Sequence, residues 1–114
     1  MKQVLLDTNF ILTCIKQKID FFEEFYLIGI QIIIPQQVIN ELEKLEKTVA
    51  LNLLEKETKN YKIISLKGKN VDNSIVTYSK ENPSVIIATL DQEMRRKIKN
   101  KKVNIRNKKT LEII

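Results

Sequence analysis

The chain has 114 residues, of which 43% are hydrophobic, and its formal net charge is +6. It contains no His, one Cys and two Gly, which excludes His-based catalysis, disulfides, Cys-rich zinc sites and glycine-rich phosphate loops. No apolar run reaches the roughly 18 residues of a membrane span, and no signal-peptide pattern precedes the first strand, so we expect one soluble, cytoplasmic domain over residues 1–114.

The first half of the chain alternates short apolar runs with helical periodicity. The run 4–6 predicts a strand, the pattern over 8–18 predicts a helix, and Asp20 is expected to cap a short second helix. The run 31–34, which ends in three Ile, is typical of a strand buried on both faces. Pro35 then begins a third helix, whose predicted apolar stripe consists of Val38, Leu42, Leu45 and Val49.

The second half of the chain continues this alternation. Strands are predicted over residues 61–66, 84–89, 103–106 and, as a short edge strand, 110–114. Helices are predicted over residues 72–80 and 91–100. Strands that alternate with helices predict an α/β domain of three layers, in which a parallel sheet of about five strands carries helices on both faces.

Four carboxylates are predicted to share one edge of this sheet. Asp7 and Asp91 follow the first and fourth strands. Asp72 begins the helix after the third strand, and Glu41 lies in the helix after the second. Each of them is spaced three or four residues from apolar positions, which places it at the border of a buried helical face. Because sites in parallel sheets form beyond the carboxyl ends of the strands, we predict an acidic site made by these four acids.

Helix capping is the alternative explanation for three of the four acids. An Asp at the start of a helix binds free amide groups and interacts favourably with the helix dipole. Capping does not explain Glu41, which lies beyond the first turn. Crowded carboxylates raise one another's pKa unless a cation neutralises them, and oxygen ligands select Mg²⁺ or Mn²⁺. The pattern therefore predicts a hydrolytic metal site that needs no His.

The order of these residues resembles that of the PIN-domain ribonucleases, in particular archaeal members close to the VapC-type toxins and the ribosome-processing nucleases. The resemblance spans essentially the whole chain, and its motifs are Leu6-Asp7-Thr8-Asn9-Phe10, Pro35-Gln36-Gln37-Val38-Ile39-Asn40-Glu41-Leu42, Val71-Asp72-Asn73-Ser74-Ile75 and Ala88-Thr89-Leu90-Asp91. It implies a PIN-like fold and catalytic, metal-binding roles for the four acids, with support from Thr8, Asn9, Asn73 and Thr89. Many relatives carry a second Asp at the position of Asn73, which leaves open whether one or two metal ions bind.

The C-terminal segment carries most of the positive charge. Nine of the 20 Lys and Arg residues follow Asp91, against two of the 14 acidic residues. A basic end on a near-neutral body favours a polyanionic partner, and RNA is the expected one. A solvated, Lys-rich surface is the alternative. The candidate phosphate contacts are Arg95, Arg96, Lys97, Lys99, Lys101, Lys102, Arg106, Lys108 and Lys109.

Two functions stay open at this level. The first is a metal-dependent endoribonuclease, either a toxin paired with an antitoxin protein or an RNA-processing enzyme. The second, which Asn73 favours, is a PIN-like RNA-binding module whose site is weak or silent. A phosphohydrolase is disfavoured because Asp7-Thr8-Asn9 lacks the second acid of an Asp-x-Asp pair. The sequence leaves a homodimer open, because the aromatic helix over residues 20–28 exposes apolar surface if the core cannot hold all of it.

Overall fold

A computed structural model describes residues 2–114, so Met1 of the predicted domain lies outside it. The strands are β1 (Gln3–Leu6), β2 (Gln31–Pro35), β3 (Tyr61–Ile64), β4 (Ile86–Ala88), β5 (Val103–Arg106) and β6 (Thr110–Ile113). The α-helices are α1 (Thr8–Lys16), α2 (Phe21–Leu27), α3 (Gln36–Lys44), α4 (Thr48–Lys56), α5 (Val71–Glu81) and α6 (Gln92–Lys97). Each helix within residues 2–114 is too short or too polar to serve as a membrane span.

Strands β1 to β4 form a parallel sheet in the order β3-β2-β1-β4. In its centre, Leu5 lies opposite Ile33 on one side and Ile87 on the other. The chain builds the sheet outward from β1 to β3 and then returns to the other side of β1 with β4. The strand order therefore reverses between β1 and β4, and this switch point is where α/β sheets form their sites.

Alternate residues of the central strands face opposite helical layers. Leu6 packs in a cluster that includes residues from α1, α2, α3 and α4, whereas Leu5 packs in a second cluster with residues from α5 and α6. Neither residue is exposed to solvent. A strand covered on both faces must be apolar at every position, which explains the continuous Leu and Ile runs of β1 and β2. The predicted α/β class with helices on both faces is confirmed.

The fifth predicted strand forms, but it does not extend the parallel sheet as a full strand. Lys102 makes an isolated parallel bridge to Ile87, and β5 then pairs antiparallel with β6. The two strands are joined by the three residues 107–109, of which Asn107 and Lys108 have left-handed φ angles of 53° and 58°. This short turn lets β5 pair with its chain neighbour, so the parallel sheet has four strands and the tail completes a hairpin.

The predicted apolar stripe of the third helix extends too far. Val38 and Leu42 are buried, but Leu45 and Val49 are 52% and 68% exposed. The reason is a turn at Glu46, where φ is 54°, which ends α3 and changes the helical phase before α4 begins. The buried positions of α4 are consequently Ala50 and Leu54.

The helix predicted over residues 91–100 ends early, at Lys97. Asn100 is buried, and its side-chain amide donates hydrogen bonds to the carbonyls of Asn82 at 2.9 Å and Val85 at 2.8 Å. These contacts hold the segment after α6 against the loop that precedes β4. The chain thereby leaves helical geometry before it passes beside β4.

Candidate active site

Asp7 is fixed at the switch point between β1 and β4. Its backbone N–H donates to the carbonyl of Ala88 at 2.9 Å, and its side chain is buried, with 4% exposed. One carboxylate oxygen accepts from the backbone N–H of Thr8 at 2.8 Å. The other accepts from the hydroxyl of Thr89 at 2.8 Å. Both oxygens are thus held, and the carboxylate has a defined orientation where β1 passes into α1.

The exit of β4 is held by the residues predicted to support Asp7. The Asn9 side-chain oxygen accepts from the backbone N–H of Leu90 at 3.0 Å. The Thr89 hydroxyl also accepts from the backbone N–H of Asp91 at 3.3 Å, so it connects the first and last acids. Asp91 caps α6 by accepting from the N–H of Met94 at 3.1 Å. The exits of β1 and β4 therefore form one hydrogen-bonded unit.

Asp72 and Glu41 are not used as helix caps. Helix α5 begins at Val71, one residue before the predicted start at Asp72, and is capped by Asn70, whose side chain accepts from the N–H of Asn73 at 3.0 Å. Within residues 2–114, neither the Asp72 nor the Glu41 carboxylate accepts a hydrogen bond. Capping therefore accounts for Asp91 and part of the Asp7 contacts, but for neither of these two acids.

Asp7 and Asp72 lie close enough to the other acids for the pKa values of both to be affected. Burial raises the pKa of Asp7, against the hydrogen bonds from Thr89 and Thr8, and the charges of Asp72 and Glu41 raise it further. Burial also raises the pKa of Asp72, and Asp91 and Glu41 add to that effect. The structure thus brings the four acids to one edge of the sheet, where their negative charges repel.

Two of the four acids line a small cavity at this edge. Asp72 and Asp91 border this cavity of about 140 Å³ together with Asn73 and Lys97, and the charge of Lys97 partly opposes the rise in the pKa of Asp72. As the side chains stand, no group of three carboxylates within the described residues is positioned to hold an ion. The Thr8 hydroxyl is buried and has no hydrogen-bond partner within residues 2–114.

A larger cavity lies away from the four acids. Its volume is about 650 Å³, and it is bordered by α2 and by the beginnings of β2 and β3, with Phe22, Tyr26 and Tyr61 among its lining residues. Because it borders the ends at which these strands begin, it is separated by the sheet from the switch point. None of the four acids lines this larger cavity, whereas Asp72 and Asp91 line the smaller one.

Three of the predicted phosphate contacts are engaged within the fold. The guanidinium of Arg95 donates from Nη1 to the carbonyls of Thr89 and Val103, both at 3.0 Å. The Lys102 ammonium donates to the carbonyl of Asn100 at 3.0 Å, and burial and the Arg95 charge lower its pKa. Arg106 pairs with Glu112 at 3.9 Å. The exposed members that make no such contact in the described residues are Arg96, Lys97, Lys99, Lys101, Lys108 and Lys109.

Arg95 is a positioning residue that the sequence did not reveal as such. It lies four residues after Asp91 and so shares a helical face with it, which is the one sequence signal for its inward direction. Its two carbonyl partners connect the exit of β4 to the beginning of β5. Arg95 thereby joins the acidic edge to the C-terminal hairpin.

Replacing Arg95 by Met is expected to lower the free energy of unfolding by about 1.5–3 kcal/mol, because it removes a charged donor from two carbonyls. Replacing the exposed Arg96 by Met should change it by less than about 0.5 kcal/mol. Urea denaturation of the two variants measures the difference. Equal stabilities of the two variants would show that the Arg95 contacts do not support the fold.

Similarity to known proteins decides the family. A model of the PIN-like domain family matches residues 4–109. The chain belongs to the PIN-like domain family. This PIN-like chain is 33% identical over 127 aligned positions to Ribonuclease VapC4 of Methanocaldococcus jannaschii, across 99% of this chain and 97% of that protein. The solved structure of the PIN domain endonuclease Utp24 matches it with a TM-score of 0.83 and 27% identity, across 97% of this chain and 90% of that chain.

The predicted resemblance to the PIN-domain ribonucleases is therefore confirmed. The family match includes each of the four acids and ends within the C-terminal hairpin, just before β6. Both relatives are nucleases by name. The four-stranded parallel sheet and its two helical layers are the PIN fold, shared with the endonuclease structure over nearly the whole chain.

Proposed function

We propose that this PIN-domain protein is a metal-dependent endoribonuclease that hydrolyses RNA phosphodiester bonds at the four acids. One observation carries the proposal. Asp72 and Glu41, on two different helices, have no hydrogen-bond partner in the described residues, yet both raise the pKa of an Asp7 that is locked at the switch point. Family membership alongside a named ribonuclease and a named endonuclease supports the nuclease class.

The donor set fits Mg²⁺ or Mn²⁺. The chain has no His, and burial raises the pKa of Cys14 to about 12, so a thiolate or imidazole ligand is excluded and carboxylate oxygens remain. Burial chiefly raises the pKa values of Asp7 and Asp72, the neighbouring carboxylates raise them further, and a divalent cation between these acids would favour their charged forms. When bound by the four acids, the cation would activate water and stabilise charge on the phosphate.

The residues of this chain have distinct parts in the proposed reaction. Thr89 and the Thr8 backbone orient Asp7, and Asn9 holds the β4 exit so that Asp91 stays beside it. Asp72 and Glu41 are free to turn toward cation and substrate, because no internal hydrogen bond restrains them. Asn73, next to Asp72 in the small cavity, can offer an amide contact. The proposed site therefore combines one fixed acid, Asp7, with two movable acids, Asp72 and Glu41.

The exposed basic residues of α6 and the following loop are proposed to bind the RNA backbone. Lys97, Lys99 and Lys101 follow Arg96 on a segment that begins at Asp91, so a strand of RNA held by them would pass the acidic edge. Phosphate contacts of this kind supply affinity without reading sequence. An RNA-processing role and a toxin role with an antitoxin partner both agree with this arrangement, and an antitoxin-like neighbouring reading frame would favour the second.

Further parts of the proposal concern the state of the protein in the cell. We propose that residues 1–114 form a single PIN domain that works in the cytoplasm. Tyr26, Leu27 and Ile28 at the end of α2 are exposed, which supports self-association into a homodimer. Light scattering of the purified protein measures that state directly.

A weak or silent RNA-binding module is the second candidate function. Two observations favour it: no three carboxylates of the described residues are gathered to hold an ion, and Asn73 is neutral where a fifth acid would strengthen the site. In this case the exposed basic segment would bind RNA without cleavage. Metal titration distinguishes the two functions.

Replacing Glu41 by Gln is expected to lower the rate of RNA cleavage by about 10²-fold or more, because loss of even indirect metal contacts costs about 10–100-fold. Glu43 lies exposed on the same helix, and its replacement by Gln should leave the rate within about twofold. The measurement is cleavage of labelled single-stranded and structured RNA in Mg²⁺, Mn²⁺ or EDTA. Wild-type protein that binds RNA but cuts none of it in either metal would favour the silent module.

A further inference from the structure

Lys97 is the cation of the small acidic cavity. It is the last residue of α6, and it lines the cavity of about 140 Å³ together with Asp72, Asp91 and Asn73. No other Lys or Arg of the described residues lines that cavity. The neighbouring Arg95 and Lys102, by contrast, donate to backbone carbonyls. Lys97 therefore differs from the other basic residues of the segment in facing the acids.

The ammonium of Lys97 is not engaged by the fold. The one ion pair within 4.0 Å in residues 2–114 joins Arg106 to Glu112. A simple helix-surface pair with Glu93, four residues earlier, would be the ordinary role of such a lysine. Glu93 lines the same cavity, but its carboxylate lies more than 4.0 Å from the Lys97 ammonium. The charge of Lys97 is thus available to a ligand in the cavity.

We infer that Lys97 is a catalytic residue, whose ammonium acts as the second cation of the site and contacts the scissile phosphate of RNA on its leaving-oxygen side. The inference rests on the proposed nuclease function and specifies which group stabilises the negative charge on the leaving oxygen. In two-metal sites, one cation stabilises the attacking oxygen and the other the leaving oxygen. The Lys97 ammonium lines the same small cavity as Asp72 and would repel a second divalent ion there.

The reaction balances with Lys97 in this place. The oxygen of water forms the new bond to phosphorus, and the ester P–O bond breaks. The proton that the water gives up equals the one that the leaving oxygen gains. Lys97 remains an ammonium throughout and acts by its charge and by donating a hydrogen bond to the leaving oxygen. One divalent cation on the carboxylates and one lysine on the substrate thus complete the site.

The test compares Lys97→Met and Lys97→Arg with wild-type protein and with Lys80→Met, a matched change of an exposed lysine in the last turn of α5. Binding of Mn²⁺ to the free proteins, followed by electron paramagnetic resonance, gives the number of ions and their affinity. Single-turnover cleavage gives the chemical rate, and RNA binding in EDTA gives affinity separately. Thermal unfolding verifies that each variant is folded.

We expect one Mn²⁺ per chain in wild type and Lys80→Met, and tighter Mn²⁺ binding in Lys97→Met. Its single-turnover rate should fall by about 10²–10³-fold, the usual effect of removing one donor to transition-state charge. Lys97→Arg should retain a clearly higher rate than Lys97→Met, and RNA affinity in EDTA should change far less than the rate.

Two Mn²⁺ ions per wild-type chain would overturn the inference. So would a Lys97→Met rate equal to that of Lys80→Met, or a loss that lies entirely in RNA affinity. These results leave the nuclease proposal intact, because wild-type protein still cuts. Wild-type protein that cuts no RNA in either metal would instead reject the proposed function, and this inference with it.

Discussion

Replacing Asp7 by Asn is expected to lower the rate of RNA cleavage by about 10³-fold while leaving the chain folded. The Asn side chain has nearly the same shape, and its oxygen can keep a hydrogen bond from Thr8 or Thr89, but its amide carries no charge with which to bind a divalent cation. Asp20→Asn is the matched control. Asp20 is exposed and caps α2 through the N–H of Glu23, a contact that Asn provides equally well.

The Asp7→Asn variant also tests whether the charged form of the buried Asp7 destabilises the fold. Its pKa is raised above the ordinary 3.8 mainly by burial, so the folded state holds this proton more tightly than the unfolded state does. The stability that the proton contributes is complete below about pH 3.8 and is lost as the pH rises through the raised pKa. Wild type should therefore lose stability over that window, and Asp7→Asn should lack this part of the decline.

Divalent metal should stabilise wild type more than it stabilises Asp7→Asn. A bound cation stabilises wild type by about 2.7 kcal/mol at 100 times its Kd, and Asp7→Asn should gain much less. Urea denaturation between pH 3.5 and 7, with and without Mg²⁺, measures both effects. An identical pH dependence in the two proteins would show that burial does not destabilise the charged form of Asp7. An equal gain from Mg²⁺ would show that Asp7 is not a metal ligand.

Replacing Phe10 by Ala is expected to lower the free energy of unfolding by about 3–5 kcal/mol. The ring is fully buried, and its centroid lies 6.2 Å from that of Phe21 and 6.4 Å from that of Phe25. Its removal leaves a cavity between α1 and α2. Since small domains are stable by only about 5–15 kcal/mol, this loss is a large part of the total stability.

Tyr26→Ala provides the control for this change. Its ring is 79% exposed on α2 of the single chain, so the same truncation should cost less than about 0.5 kcal/mol at a concentration where the protein is monomeric. Urea denaturation followed by circular dichroism measures both variants. A Phe10→Ala cost near that of Tyr26→Ala would mean that the aromatic cluster relaxes without loss of packing.

Much of the fold was predictable because its central strands are buried on both faces. The runs ending at Leu6 and Ile34 have no polar interruption, so their strand character and the acid that follows β1 are visible together. The turn at Glu46 and the hairpin turn at Asn107 and Lys108 were not predictable in the same way. Each adopts a left-handed conformation without Gly, the residue that normally marks it.

The candidate site was predictable in its residues more than in its contacts. The four acids and Thr89 follow from the strand exits and from the family resemblance, whereas their metal-binding roles stay predictions. Asn70 and Asp72 are equally good caps, so propensity alone could not show which of them caps α5. The contact from Arg95 to Val103 depends on where β5 passes, which no local pattern encodes.

The order of strands in the sheet also governs when the acidic edge can assemble during synthesis of the chain. β1 is translated first but lies between β2 and β4, and β4 is not complete until residue 88 has been added. Asp7 gains its Thr89 hydrogen bond only then, and Arg95 finds Val103 later still. A nascent chain on the ribosome therefore lacks the assembled acidic edge until most of it has emerged.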